Sequence, residues 1–212
     1  MASRKSKLVE TSLLIATHNQ GKVKEIRKHL ASLPLKIISL ADLGIDKEYQ
    51  ETGSTFAANS RGKALYYGRF TQELILAEDS GLEIEALQGA PGVYSARFAG
   101  PRASDEDNIQ KVLALLQGVP PPQRKARFIC WLTLAQKQQI ITEIQGKVEG
   151  YITEAKKGKH GFGYDPIFYY PPWQKTLAEL TPEEKNRISH RGQALTQLHQ
   201  FLTNFLGRAN HR

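Results

Sequence analysis

The sequence contains very little cysteine and no long apolar run. Its only cysteine, Cys130, excludes a disulfide within the chain, and the apolar stretch around it favours a buried structural thiol. No apolar run approaches the ~20 residues that a membrane helix needs, and no apolar signal segment follows the polar, basic residues 1–10. We therefore expect a cytoplasmic protein without a membrane partner.

Low-complexity tracts and internal repeats are also missing from the sequence. The composition, with 40% hydrophobic and 24% charged residues among 212, is typical of a soluble globular protein. This length suits one sizeable core or two tightly joined lobes. We predict a basic tail over residues 1–10 and a single domain over residues 11–207.

Positive charge is in clear excess. Lysine and arginine number 29 against 21 acidic residues, a formal charge of +8, which favours a polyanionic partner such as a nucleic acid, an acidic membrane or a triphosphate. The basic residues are scattered, and aromatic residues do not alternate with them as on a single-strand-binding surface. The pattern therefore gives little support to a nucleic-acid partner.

The order of the predicted elements indicates an α/β fold around a mixed, twisted sheet. The apolar spacing of Val23, Ile26 and Leu30 predicts an early helix, and Ser54 or Thr55 is a suitable cap for a second. The predicted strands cover residues 13–16, 35–40, 74–77, 126–135 and 140–148, the last two as an antiparallel pair. The predicted helices cover residues 20–30, about 55–67, 104–116 and 192–206.

A polar loop joins the first predicted strand to the first helix. It consists of Thr17, His18, Asn19, Gln20, Gly21 and Lys22. Free backbone N–H groups and the positive end of the helix dipole favour phosphate at such a position. The loop lacks the Walker pattern, because Ala16 replaces its first glycine and Val23 follows the lysine. An ordinary capped loop remains the alternative interpretation.

Three carboxylates form a second candidate group. Glu78 and Asp79 follow the predicted strand 74–77, and strand ends are where open α/β sheets usually hold their chemistry. Magnesium takes one or two protein carboxylates together with phosphate oxygens, so Glu51 and Asp79 would suffice if the fold joins them. The alternative is a solvated loop acid and a simple turn.

Two later segments offer recognition of a flat ligand. Glycines flank Phe162 and leave its ring open to stacking by a purine, and Lys185, His190 and Arg191 supply donors near a predicted helix start. Core aromatics and a solvated basic turn are the alternative interpretations.

Together these segments strongly resemble the inosine triphosphate pyrophosphatase family over roughly residues 13–205. Six segments carry the resemblance in order: Thr17-His18-Asn19 with Lys22, Glu51-Thr52-Gly53, residues 78–82, residues 89–97, residues 161–166 and residues 188–192. The resemblance implies an elongated mixed sheet flanked by helices, two lobes with a central substrate cleft, and a homodimer.

The resemblance also implies roles for individual residues. Lys22 would be the main catalytic cation of the phosphate loop and Lys63 a second phosphate contact, while Asp79 would be the proton acceptor. The implied ligands of Mg²⁺, with Mn²⁺ as an alternative metal, are Glu51, Asp79 and the adjacent Glu78. The remaining implied substrate contacts are Ser80, Phe162, Gly163, Tyr164, Asp165, Lys185, His190 and Arg191. Two positions depart from the family pattern: His18 replaces a frequent glycine, and Glu78 replaces the usual aspartate.

The expected reaction is hydrolysis of ITP, dITP and XTP to the monophosphate and pyrophosphate. Hypoxanthine and xanthine present O6 and N7 as acceptors for the donors of His190 and Arg191, whereas adenine presents a 6-amino donor. Two alternatives stay open at this point. One is a septum-type pyrophosphatase acting on pyrimidine or modified nucleotides, and the other is a basic nucleic-acid-binding module.

Overall fold

A computed structural model describes residues 11–209, so the predicted basic tail lies outside the described residues. Its strands are β1 Thr11–Ile15, β2 Leu35–Ser39, β3 Leu74–Ile84, β4 Lys125–Gln136, β5 Gln139–Ile152, β6 Phe168–Tyr170 and β7 Lys175–Thr176. They form one sheet in the order β2-β1-β3-β4-β5-β6-β7. β1 runs parallel to β2 and β3, and the pairs from β3 to β7 are antiparallel. The predicted mixed sheet is confirmed.

Five α-helices accompany the sheet in the described chain. They are α1 Gln20–Leu30, α2 Phe56–Tyr67, α3 Asp105–Leu115, α4 Pro182–Ile188 and α5 His190–Ala209. Within residues 11–209, no helix combines the length and apolar character that crossing a bilayer requires.

Local sequence accounts for where the first two helices start. Asn19 caps α1 by accepting a hydrogen bond from the Lys22 backbone N–H at 3.1 Å, and Thr55 caps α2 in the same way. The spacing of Val23, Ile26 and Leu30 gives α1 one apolar face, and all three residues are buried. Both caps place a helix N-terminus beside the centre of the sheet.

The third strand differs from the sequence prediction. The predicted end at residue 77 is wrong, because β3 continues to Ile84 and carries Glu78 and Asp79 in its interior. β4 pairs with it from Ile75 to Ile84 and supplies the hydrogen bonds that keep it extended. The parallel pairing with β1 ends at Leu76, so the carboxylates still lie just beyond the point where β1 turns into its loop. The strand pair β4–β5 and α5 are likewise longer than predicted.

Helix α5 packs directly on the sheet at a glycine. A Cβ atom on Gly146 of β5 would overlap the carbonyl oxygen of His190 and lie 2.8 Å from the backbone nitrogen of Ala194. The close approach buries Leu195, Leu198 and Leu202 of α5 in a core shared with the sheet. It also fixes the first turn of α5, which carries His190 and Arg191.

Replacing this glycine should therefore separate the helix from the sheet. We expect Gly146→Ala to lower the free energy of unfolding by roughly 1–3 kcal/mol or more, the usual cost of overpacking a core. Gly207→Ala is the control in α5, the helix that packs on Gly146. A Cβ at Gly207 meets nothing within 4 Å, so this substitution should stabilise the helix by up to about 1 kcal/mol. Urea unfolding measures both, and equal stabilities would contradict this packing.

Candidate active site

One large cavity is lined by most of the site residues that were predicted from the sequence. Its volume is about 870 Å³. The predicted site residues that line it are Thr17, His18, Asn19, Lys22, Glu51, Lys63, Asp79, Ser80, Phe162, Gly163, Tyr164, Asp165, Lys185, His190 and Arg191. Gln20, Gly21 and Glu78 are the predicted residues that do not line it. Segments far apart in sequence thus meet around a single space.

One end of the cavity is formed by the loop between β1 and α1. The Thr17 hydroxyl accepts from the Asn19 backbone N–H at 3.2 Å, and the Asn19 side chain caps the helix. Backbone N–H groups in the first turn of an α-helix have no partner within the helix and favour an anion. His18 also lines this end, with its Nε2 3.5 Å from the Tyr67 hydroxyl oxygen.

Glu78 is the centre of a buried ion-pair cluster. The Arg191 Nε lies 3.0 Å from each carboxylate oxygen, the Lys22 Nζ lies 3.2 Å from Oε1, and the Ser80 hydroxyl donates at 2.9 Å. Burial alone would raise the pKa of Glu78, but the charges of Arg191 and Lys22 outweigh it and hold that pKa well below its ordinary value. Glu78 is therefore ionised, and its predicted role as a metal ligand stays a prediction.

Asp79 and Glu51 form the second acidic group. Burial, followed by the negative charge of Glu51, raises the pKa of Asp79 to about 6. Burial also disfavours the charged form of Glu51, but its ion pair with Lys63 outweighs this effect and lowers the pKa. The Arg97 Nη1 approaches Glu51 at 3.6 Å. The site therefore holds two carboxylates that repel each other and two cations, Lys63 and Arg97, beside them. The carboxylates suit a divalent cation, and the cations suit a phosphate.

Asp79 is held in place by two donors. Its Oδ1 accepts from the Ser80 backbone N–H at 2.9 Å, and its Oδ2 accepts from the side-chain amide of Asn59 at 3.0 Å. The sequence analysis did not identify Asn59. A signal was present, because Asn59 precedes Lys63 by four residues and so lies on the same face of α2.

The other end of the cavity presents an aromatic ring. Phe162 is 41% exposed, and the Lys185 Nζ lies 4.5 Å from its ring centroid. Lys185 pairs with the buried Asp165, which also accepts from the Phe162 backbone N–H at 2.9 Å. Asp165 thus holds both the ring and the cation beside it, while Tyr164 is fixed by a 2.8 Å bond from its hydroxyl to the Ser95 carbonyl oxygen.

His190 lies between the acidic cluster and the aromatic end. Its ring stacks on Phe128 with centroids 4.8 Å apart, and its Nδ1 is buried without a hydrogen-bond partner among the described residues. Burial, reinforced by the positive charge of Arg191, lowers the pKa of His190 well below its usual range, so the ring is neutral. Buried polar atoms are normally satisfied, so this nitrogen is an exception among the described residues.

The buried cluster around Glu78 leads to a stability prediction. Glu78→Gln leaves Arg191 and Lys22 without their main counter-ion, and breaking a buried pair costs about 3–5 kcal/mol. Glu83→Gln, on the same strand, breaks a pair with the half-exposed Arg127 and should cost less than about 1 kcal/mol. Chemical unfolding at neutral pH compares the two variants, and equal losses would refute the cluster's structural role.

Comparison with known proteins gives a consistent result. Residues 13–201 match the model of the Ham1 family. The chain is 46% identical to a dITP/XTP pyrophosphatase of Bacillus subtilis over 195 residues, 92% of this chain and 98% of that protein, and 46% identical to one of Thermoanaerobacter pseudethanolicus over 190 residues, 90% and 96%. A solved HAM1 protein from Coxiella burnetii superposes with a TM-score of 0.86 at 43% identity, covering 92% of this chain and 99% of that one. These matches confirm the resemblance found in the sequence, and the chain belongs to the Ham1 family.

Proposed function

We propose that this protein hydrolyses purine nucleoside triphosphates with a non-canonical base, ITP, dITP and XTP, to the monophosphate and pyrophosphate. The proposal rests on one cavity that has a helix N-terminus at one end, two carboxylates in its middle and an exposed aromatic ring at the other end. The names of the B. subtilis and T. pseudethanolicus relatives support the same substrates. They do not favour a septum-type pyrophosphatase or a nucleic-acid-binding module.

The triphosphate would lie at the β1–α1 loop. Free N–H groups at the start of α1 suit phosphate oxygens, and Thr17, His18 and Asn19 of the loop before it line the cavity. Lys22 and Lys63 line this region as cations, and each already pairs with a carboxylate, Glu78 and Glu51 respectively. A phosphate group can compete for them because it offers the same kind of anionic oxygen.

A divalent metal would be held by Glu51 and Asp79. Their mutual repulsion, which contributes to the raised pKa of Asp79, is relieved by a cation, and carboxylate oxygens are the donors that Mg²⁺ prefers, with Mn²⁺ as a substitute. When bound, the metal would neutralise charge on the triphosphate and help to orient the attacking water. Glu78, the third predicted ligand, is paired with Arg191 and Lys22 and holds these two cations in position.

Asp79 is the proposed general base. With a pKa near 6 it is mostly ionised at neutral pH and can accept a proton from water. The water oxygen forms a bond to the α-phosphorus, the bond from that phosphorus to the bridging oxygen breaks, and pyrophosphate leaves with the bonding electrons. Lys22 and Lys63 stabilise the developing charge, so positioning and electrostatics provide the catalysis.

The base would stack on Phe162 and meet donors from three side chains. Lys185 is fixed beside the ring by Asp165, Arg191 has its guanidinium carbon 5.4 Å from the ring centroid, and neutral His190 lines the same wall. Donors at this end satisfy the O6 and N7 acceptors of hypoxanthine and xanthine. Adenine would place its amino donor against them and leave buried groups unpaired, which is a strong basis for rejection.

Three expectations from the sequence stay predictions for this protein. They are the homodimer, the cytoplasmic location and the division of the domain into two lobes around the cleft.

The substrate assignment is tested by measuring pyrophosphate release from ITP, XTP, dITP, GTP, ATP and dTTP at equal concentration. We expect Mg²⁺-dependent turnover of the first three and at least about 100-fold lower kcat/KM for ATP. Preference for dTTP would support the septum-type alternative instead. No release from any nucleotide, combined with salt-sensitive binding of DNA or RNA, would support the binding module.

The assignment of the base is tested by Asp79→Asn. The variant should lose at least about 100-fold in kcat, because it removes a general base and a metal ligand together. Glu83→Gln is the matched control on β3. Glu83 does not line the cavity, so this variant should retain full activity. Near-normal turnover of Asp79→Asn would refute the proposed mechanism.

The raised pKa of Asp79 predicts how metal binding depends on pH. Below about pH 6 the carboxyl is protonated and must lose its proton to bind a cation, so protons compete with the metal. The apparent Kd for Mn²⁺ should be constant above about pH 7 and roughly tenfold weaker at pH 5. Isothermal titration calorimetry across this range measures it, and a Kd independent of pH would contradict Asp79 as a ligand.

A further inference from the structure

We propose that Asn59 is a positioning residue that holds the loop of Glu51 and the carboxylate of Asp79 at the spacing needed to bind one metal ion. The inference rests on the proposed function, because it concerns the same pair of carboxylates. Asn59 does not line the cavity and would touch neither metal nor substrate. It would act through the two groups that its side chain joins.

The side chain of Asn59 bridges the loop and the strand. Its Oδ1 accepts from the Gly53 backbone N–H at 2.7 Å, and its Nδ2 donates to the Asp79 Oδ2 at 3.0 Å. The residue is completely buried. Because the Gly53 N–H can only donate, the amide oxygen must face the loop, and the amide nitrogen then faces Asp79. One planar group therefore fixes two chain segments relative to each other.

Gly53 allows this bridge to be short. A Cβ at Gly53 would lie 2.6 Å from the Asn59 Oδ1 and 2.9 Å from the Cβ of Ala58, closer than real side chains approach. The loop can therefore contact the first turn of α2 only with glycine at this position. Glu51 lies two residues earlier, so the anchor at Gly53 limits where its carboxylate can be placed.

A second link runs parallel to the first. Lys63, one turn after Asn59 on the same face of α2, pairs with the Glu51 carboxylate and donates to the Glu78 carbonyl oxygen at 3.0 Å. Helix α2 thus joins the same loop to the same strand twice. The Lys63 link is ionic, and a metal on Glu51 or a phosphate on Lys63 would replace it.

The hydrogen bonds of Asn59 can remain in place when a metal or a phosphate replaces the ion pair of Lys63. An amide carries no charge, so it neither neutralises Asp79 nor competes for the metal, and it uses only one lone pair of one carboxylate oxygen. With the Ser80 N–H bonded to Oδ1, each carboxylate oxygen of Asp79 keeps one lone pair for a metal. Partners that orient metal ligands in this way typically contribute 10–100-fold to metal affinity or activity.

The test compares Asn59→Ala with Ser60→Ala. Ser60 is the matched control, because it is fully buried beside Asn59 on α2 and bonds the Ala77 carbonyl oxygen and the Thr133 hydroxyl, but reaches neither the loop nor Asp79. Titration of each metal-free protein with MnCl₂ by calorimetry should show at least tenfold weaker binding for Asn59→Ala, and a change below about twofold for Ser60→Ala. The Mg²⁺ concentration for half-maximal ITP hydrolysis should rise in parallel, with the KM for ITP at saturating Mg²⁺ little changed.

Gly53→Ala disturbs the same bridge from the loop side and keeps the buried Asn59 amide. It therefore tests the inference even if Asn59→Ala does not fold. It too should weaken Mn²⁺ binding at least tenfold, with thermal melting in EDTA confirming that the variant is folded. Wild-type Mn²⁺ affinity in both Asn59→Ala and Gly53→Ala, or an equal loss in Ser60→Ala, would overturn the inference while leaving the proposed function intact. A wild-type protein that binds no Mn²⁺ and hydrolyses no nucleotide would overturn the proposed function itself.

Discussion

The buried ion pair between Glu78 and Arg191 joins elements that would otherwise form separate walls of the cavity. Glu78 belongs to the central strand β3, Arg191 to the first turn of α5, and Lys22 to the first turn of α1, and all three charges meet at one carboxylate. Arg191 also pairs with Glu25 at 2.8 Å, so Glu78 is the member of this buried network whose removal affects two cations at once. The relative positions of the β1–α1 loop, strand β3 and the first turn of α5 all depend on this contact.

Glu78 and Asp79 are neighbours on β3, but their pKa values are shifted in opposite directions. Side chains alternate across a sheet, so Glu78 and Asp79 point to different faces of β3. Glu78 meets cations and stays ionised at low pH, whereas Asp79 meets the like charge of Glu51 and has its pKa raised to about 6. Two adjacent acids thereby become a structural anion and a group suited to proton and metal chemistry.

The sequence predicts local features of this fold well and distant pairings poorly. Helix α1 and its cap follow from the spacing of Val23, Ile26 and Leu30 and from Asn19, which are local properties. The length of β3 depends on its pairing with β4, which no local pattern in residues 78–84 reveals. Likewise, the ion pair of Glu78 with Arg191 joins residues 113 positions apart, so it becomes visible only in the folded chain.

The most direct measurement of the central claim is a crystal structure of Asp79→Asn with Mg²⁺ and ITP. The account predicts the triphosphate at the N-terminus of α1 beside Lys22, the metal on Glu51, and hypoxanthine stacked on Phe162 with Glu78 still paired to Arg191. A metal bound away from Glu51, or a base bound away from Phe162, would contradict it.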